Sequence, residues 1–220
     1  MSVRQYASLN LGGHVGDDPG AVGENRRRLK AEAELPTEPQ WLAQVHGVSV
    51  ADLDAGSPRE PADAAITRRP GPVCAILTAD CLPVLFAAES GDAVGAAHAG
   101  WRGLAAGVIE TTFRALGADP SRTLVWLGPA IGPGHFEVGG EVREVFLRQD
   151  EGSSEAFRPN SRGRFMADLG LLARRRLAAL GITRIYGGGE CTYASADRYF
   201  SHRRDGQCGR QATLIWRSER

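Results

Sequence analysis

Lysine is almost absent. Lys30 is the only one among 26 basic residues, and it sits in the run Arg26-Arg27-Arg28-Leu29-Lys30. That argues against Schiff-base chemistry, which needs a desolvated amine. There is no GxxxxGK[ST] loop, and no GxGxxG to mark the usual dinucleotide turn. No CxxC pair occurs, so a structural zinc ribbon is not expected. Net charge is absent as well: 26 basic residues balance 26 acidic ones. No global field therefore favours nucleic acid or an anionic membrane, and the Arg26–Lys30 run reads as a solvated helix face. No apolar run approaches the roughly 20 residues of a membrane span. The first residues, MSVRQYASLN, lack the apolar core of a signal peptide. The expectation is a cytoplasmic protein with no nucleic-acid or membrane partner. Its four cysteines (Cys74, Cys81, Cys191 and Cys208) are then reduced thiols or metal ligands rather than disulfides.

What is present is an ordinary globular composition, 42% hydrophobic and 24% charged over 220 residues. That suits one domain spanning 1–220 with a substantial core. Asp18 and Pro19 open a helix to about Ala33. Trp41–Val50 reads as a strand, with His46 near a turn at Gly47. Asp63–Thr67, Val73–Thr78, Leu82–Ala87, Ala93–His98, Thr123–Leu127, Thr183–Tyr186 and Ala212–Trp216 read as further strands. Pro83 suggests a bend or an edge. Apolar spacing predicts a helix over Leu104–Leu116 capped at Gly117, another over Glu141–Gln149, and a third over Leu169–Leu180 capped by Asp168. Glu151–Arg164 reads as irregular. Strands and helices interleave without a strict βαβ rhythm, so the fold class is α+β, with mixed β-sheets flanked by helices.

There are five histidines: His14, His46, His98, His135 and His202. His46, Cys81 and His98 each fall near a strand end or turn. Two imidazoles and a thiolate suit Zn²⁺, and three protein ligands leave a fourth position open, the pattern of a catalytic site. The plain alternative is a buried thiol and two satisfied histidines. Gly100 and Gly103 flank Trp101-Arg102 ahead of a helix, where Arg102 could hold an anion or simply pair with a carboxylate. Asp80 could orient a ligand, act as a base or cap a turn. Arg203, Arg204 and Arg210 in YFSHRRDGQCGRQA suit an anion or a ribose, or a solvated hairpin tip. His135 reads as a surface histidine, and Cys74 and Cys191 as core residues.

Taken together and in order, SLNLGGHVGDD, QVHG, TADCLPVL, AAHAGWRG, LGPAIGPGHFEVG and YFSHRRDGQCGRQA resemble the YfiH-like family, also called laccase-domain or polyphenol-oxidase-like. The resemblance implies a layered α/β/β/α sandwich and a zinc on His46, Cys81 and His98. It also implies purine nucleoside phosphorylase activity on adenosine, inosine and methylthioadenosine, with adenosine deaminase activity. Read from the residues rather than from the resemblance, Arg102 or Arg204 is expected to hold phosphate, with Asp80 as a further catalytic candidate. Two departures stand out. Members usually carry a strand and an Arg-x-Gly-Gly-Val-Ser-like turn ahead of SLNLG, and this chain shows neither. Gly134-His135 stands where a cysteine pair is common. The older laccase label implies copper. However, five scattered histidines without a His-x-His pair cannot build a trinuclear cluster, and Met1 and Met166 are the only candidates for a weak axial ligand. Two other readings remain: a cysteine hydrolase or deamidase using Cys81 and His98, and a non-catalytic purine-binding protein.

Overall fold

The computed structural model describes residues 1–58 and 60–219. In chain order the elements are α1 (Pro19–Glu32), β1 (Gln40–Trp41), β2 (Val50–Asp52), β3 (Ala64–Thr67), β4 (Val73–Thr78), β5 (Leu82–Ala88), β6 (Val94–Ala99), α2 (Trp101–Ala106) and α3 (Val108–Leu116). There follow β7 (Thr123–Leu127), β8 (Glu137–Val138), α4 (Gly140–Leu147), β9 (Phe157–Pro159), β10 (Phe165–Ala167), α5 (Leu169–Ala179), β11 (Arg184–Gly187), α6 (His202–Asp205) and β12 (Gln211–Trp216). The expected caps are in place. The Asp18 carboxylate accepts from Ala21 N at 2.8 Å, and Asp168 accepts from Leu171 N at 2.9 Å, each satisfying an orphan donor of a first helical turn.

The strands form three sheets, ordered β11-β7-β5-β6-β3-β2, β1-β4-β12 and β8-β10-β9. The first two contain parallel and antiparallel pairs, so the α+β reading with mixed sheets flanked by helices holds. Side chains alternate faces along a strand, and this sorts the large sheet. Val84, Phe86, Ala97 and Ala99 join Val108, Ile109 and Phe113 of α3 and Leu172 and Leu177 of α5 in the main core. Ala65 and Ala96 point the other way, into a second cluster with Cys74 and Ile76 of β4 and Leu42. The small sheet β1-β4-β12 therefore lies against the back of the large one. Every residue of β4 is buried, which explains its unbroken apolar run. Among the described residues no helix is long and apolar enough to cross a membrane.

Four expectations need correction. Trp41–Val50 is not a strand: residues 42–49 form a loop between β1 and β2, held by side-chain acceptors rather than a ladder. The helix over Leu104–Leu116 is two helices, because Gly107 adopts φ 99° and breaks the run. Pro83 lies inside the central strand β5. Its carbonyl accepts from Gly128 N at 2.9 Å, just beyond the Val84–Leu127 pair where the β5–β7 register stops, so its missing N–H falls where the ladder has ended. The polar stretch Glu151–Arg164 is partly ordered as a 3₁₀ turn and β9.

Candidate metal centre

Asp63, one residue before β3, is fully buried. Its carboxylate accepts from the backbone N–H groups of Val45, His46 and Gly47 at 3.1, 2.8 and 2.7 Å. It also faces His98 Nδ1 at 2.8 Å, and its carbonyl accepts from His98 N at 2.7 Å. Collecting three consecutive N–H groups on one carboxylate forces the loop to curl. His46 pays that conformational cost with φ 61°, a region sparsely populated by non-glycine residues. The curl presents the His46 ring to the end of the large sheet.

Cys81 and His98 meet it there. Leu82 pairs with Ala99 and Pro83 with His98, so the start of β5 and the end of β6 lie side by side. His98 shares the face of Ala96, toward the small sheet. Cys81 Sγ is 3.7 Å from His46 Nε2, and the two imidazole centroids are 4.7 Å apart. One ligand atom from each of His46, Cys81 and His98 lies within 4.8 Å of the others. The Asp63 contact places the His98 proton on Nδ1 and leaves Nε2 for the site. Close packing depends on two glycines. A Cβ on Gly100 would sit 2.8 Å from Cys81 Sγ and 2.9 Å from His46 Cδ2, and one on Gly103 would sit 3.0 Å from Gly47 O.

Burial and the neighbouring imidazoles act on the thiol in opposite directions. Burial pushes the Cys81 thiol up, but hydrogen bonds and charge from His46 and His98 outweigh it and bring its pKa down to about 6. Burial lowers His98, while its bonds to Asp63 and Cys81 raise it to about 9. For Asp63, burial opposes ionisation, but the hydrogen bonds from His98, Gly47 and Val45 hold it below the usual carboxylate range. A thiolate and two imidazoles, one already oriented by a buried carboxylate, fit a borderline-soft divalent ion such as Zn²⁺.

The triplet opens on a cavity of about 340 Å³, lined also by His14, Gln44, Leu77, Thr78, Ala79, Arg102, His202 and Arg210. Arg102 is exposed and lies over the Trp101 ring at 4.5 Å; among the described residues it has no ion-pair partner. The structure does not bring Asp80 and Arg204 to this cavity. Asp80 (φ 89°) turns the chain into β5, and its carboxylate accepts from Thr192 Oγ1 at 2.6 Å and Arg203 N at 2.7 Å. Arg204 directs its donors to the carbonyls of Thr192, Tyr193 and Tyr199 and to Asp205. Asp80 ties the 192–205 segment to the start of β5, and Arg204 braces that segment internally. The glycines at 100 and 103 serve close approach to the His46 loop and Cys81, and neither is among the described residues that line the cavity. His135 is exposed as expected and stacks on Tyr193 at 4.4 Å. Cys74 is in the core, but Cys191 is half-buried, with Sγ 3.5 Å from His135 Nδ1. Sequence reasoning missed Asp63 and left His14 unassigned. The order of motifs flags SLNLGGHVG, whereas nothing local to PADAAIT marks Asp63.

A family model described as "Multi-copper polyphenol oxidoreductase laccase" matches residues 1–218. The chain is 52% identical over 218 residues to "Purine nucleoside phosphorylase YfiH" of Escherichia coli, covering 98% of this chain and 89% of that protein. It is 53% identical over 217 residues to "Purine nucleoside phosphorylase PA4543" of Pseudomonas aeruginosa, covering 98% and 88%. Among solved structures, Neisseria meningitidis protein NMB0706 is similar with a TM-score of 0.95 at 44% identity, covering 100% of this chain and 90% of that one.

Proposed function

The chain belongs to the YfiH-like family described as multi-copper polyphenol oxidoreductase laccase, and from that premise we propose that it is a zinc-dependent purine nucleoside phosphorylase acting on adenosine, inosine and methylthioadenosine. The observation that carries the reading is the convergence of His46, Cys81 and His98 on a cavity lined by Arg102 and Arg210 and by no carboxylate, in a chain about half identical to proteins named for that activity. A cationic pocket is what an anionic co-substrate requires.

In phosphorolysis a phosphate oxygen forms a bond to C1′ as the bond from C1′ to the purine nitrogen breaks. The base leaves with a proton and the sugar keeps the phosphate. In our reading His46, Cys81 and His98 hold the metal, and Asp63 fixes the His98 ring. When bound, the metal supplies Lewis acidity and can activate water near neutral pH. Arg102 neutralises phosphate charge at the cavity. Adenosine deamination, in which water replaces the C6 amine and ammonia leaves, is a second activity of the same site in this proposal. The laccase description does not extend to multicopper chemistry, because two histidines and one cysteine cannot furnish a histidine-rich trinuclear cluster.

Metal-replete protein should release hypoxanthine from inosine only when phosphate is supplied, and Cys81→Ser should abolish release. No turnover of inosine, adenosine or methylthioadenosine under those conditions, with an active relative alongside, refutes the proposal. A second reading is favoured by the Cys81–His98–Asp63 chain, which is also the arrangement of a thiol hydrolase. Activity that survives chelation and is lost to iodoacetamide would select it.

A further inference from the structure

Within the same cavity, one wall has unused hydrogen-bonding capacity. Thr78 is 2% exposed and lines the cavity, yet its Oγ1 is buried with no hydrogen-bond partner. A buried hydroxyl left unpaired is costly in a folded protein. Its direction follows from the pleat: Cys74, Ile76 and Thr78 share one face of β4, and Cys74 and Ile76 point between the sheets. His98 shares the Ala96 face of β6 and points into that space from the other side. Arg210 is the residue before β12, whose Gln211 pairs with Thr78. The arginine and the orphan hydroxyl thus stand at adjoining strand ends.

Arg210 is held in advance of any ligand. Its backbone N–H donates to Asn10 Oδ1 at 2.8 Å, and its NH1 donates to the carbonyls of Cys208 and Gly209, both at 2.9 Å. A Cβ on Gly12 would lie 2.8 Å from its Cγ, so the stem is clamped. Nε and NH2 have no partner among the described residues, and no carboxylate neutralises the group. Burial, then the charges of Arg210 and Arg26, depress the pKa of His14 on the same cavity, which reports a positive local field.

We propose that Thr78 Oγ1 and Arg210 form the seat for inorganic phosphate, facing the His46–Cys81–His98 centre. The hydroxyl donates one hydrogen bond, and the free edge of the guanidinium donates two to a tetrahedral oxyanion. The anion role expected of Arg204 therefore passes to Arg210. The proposal rests on the phosphorolysis reading for its choice of anion, but direct binding tests it separately.

The test is calorimetric titration of inorganic phosphate into the full chain as purified, beside steady-state kinetics with inosine. Loss of a charge-assisted pair in Arg210→Gln should weaken phosphate about tenfold or more. Thr78→Val should weaken it several-fold with an unchanged or raised Tm, because the variant removes an unpaired buried group. Arg122→Gln, a surface charge paired with Glu89, should bind as wild type. The same losses should appear in KM for phosphate and not in KM for inosine. Wild-type affinity in both Thr78→Val and Arg210→Gln overturns the seat, as does a loss confined to Arg102→Gln or no phosphate binding by the wild type. Phosphate bound through Arg210 and Thr78 without nucleoside turnover supports the seat and overturns phosphorolysis instead.

Discussion

Four hydrogen-bond donors converge on the Asp63 carboxylate, three from the loop that carries His46 and one from His98. An amide at that position keeps the shape but offers a single acceptor oxygen, and it turns its own N–H groups toward donors. Asp63→Asn should therefore weaken metal binding about 10- to 100-fold, the usual effect of losing the partner that orients a ligand; competition with a chromophoric chelator reads this directly. A second outcome follows from Cys81. A thiol with a pKa of about 6 is protonated below that pH and a thiolate above it. Alkylation of metal-free protein by iodoacetamide should rise through pH 6 and level off, and an ordinary thiol would still be climbing at pH 8. Cys74, pushed up to about 12 by burial, does not contribute, and Cys81→Ser gives the background rate. A midpoint above pH 8 would contradict the electrostatics described for the site. The three candidate ligands are legible from motif order, because each stands in a stretch with its own signature. Asp63 is not, since its role depends on a loop 16 to 18 residues earlier folding back over it.

At the level of elements, the boundaries marked by Asp18, Asp168 and Gly117 are readable because each residue satisfies a local need at a helix end. Reading fails where a neighbour decides. The apolar stretch around His46 suggests a strand, but its N–H groups go to Asp63 rather than to a ladder. The α2–α3 break follows from one residue, Gly107, in a sequence otherwise spaced for a single helix. The glycines of AAHAGWRG have a steric use that spacing alone does not reveal, since they let α2 press against the loop that carries His46. Gly100→Ala tests this. Its backbone has φ −60°, which alanine adopts freely, so the added methyl acts only through its collision with Cys81 Sγ and His46 Cδ2. The expected outcome is a loss of metal affinity of at least about tenfold, with an unfolding free-energy cost of only about 1–3 kcal/mol as for overpacking. An alanine variant that binds metal as wild type would show that the loop yields without disturbing the ligands.

Across the whole molecule, the centre lies where the two face-to-face sheets end. Loop 42–49 runs from β1 of the small sheet to β2 of the large one and supplies His46; β5 and β6 of the large sheet supply Cys81 and His98. Buried apolar side chains hold β5 and β6 from both faces, whereas the loop around His46 is held mainly by hydrogen bonds, from 45–47 to Asp63 and between Gln44 and the Leu77 backbone. The two parts should therefore respond differently when the metal is removed. A ligand that binds only the native state stabilises it by RT ln(1 + [L]/Kd), about 4 kcal/mol at a thousandfold excess over Kd. Chelation should thus lower Tm for the chain as a whole. The local response is more specific. Without a bound metal, His46 would lack that partner and the N–H groups of 45–47 would keep only their Asp63 hydrogen bonds, so they should open at a lower free energy than those of β5 and β6. Hydrogen exchange of metal-loaded and chelated protein, compared at one pH, should show local opening across 44–49 well below the global unfolding free energy, while β4, β5 and β6 accelerate only as far as the lost global stability requires. In Asp63→Asn the fast exchange should already be present with metal, because the restraint that outlasts the ion has been removed. Exchange across 44–49 that rises no more than that of β4, β5 and β6 would mean instead that the loop opens only with the whole fold, and that the metal is not what restrains it locally.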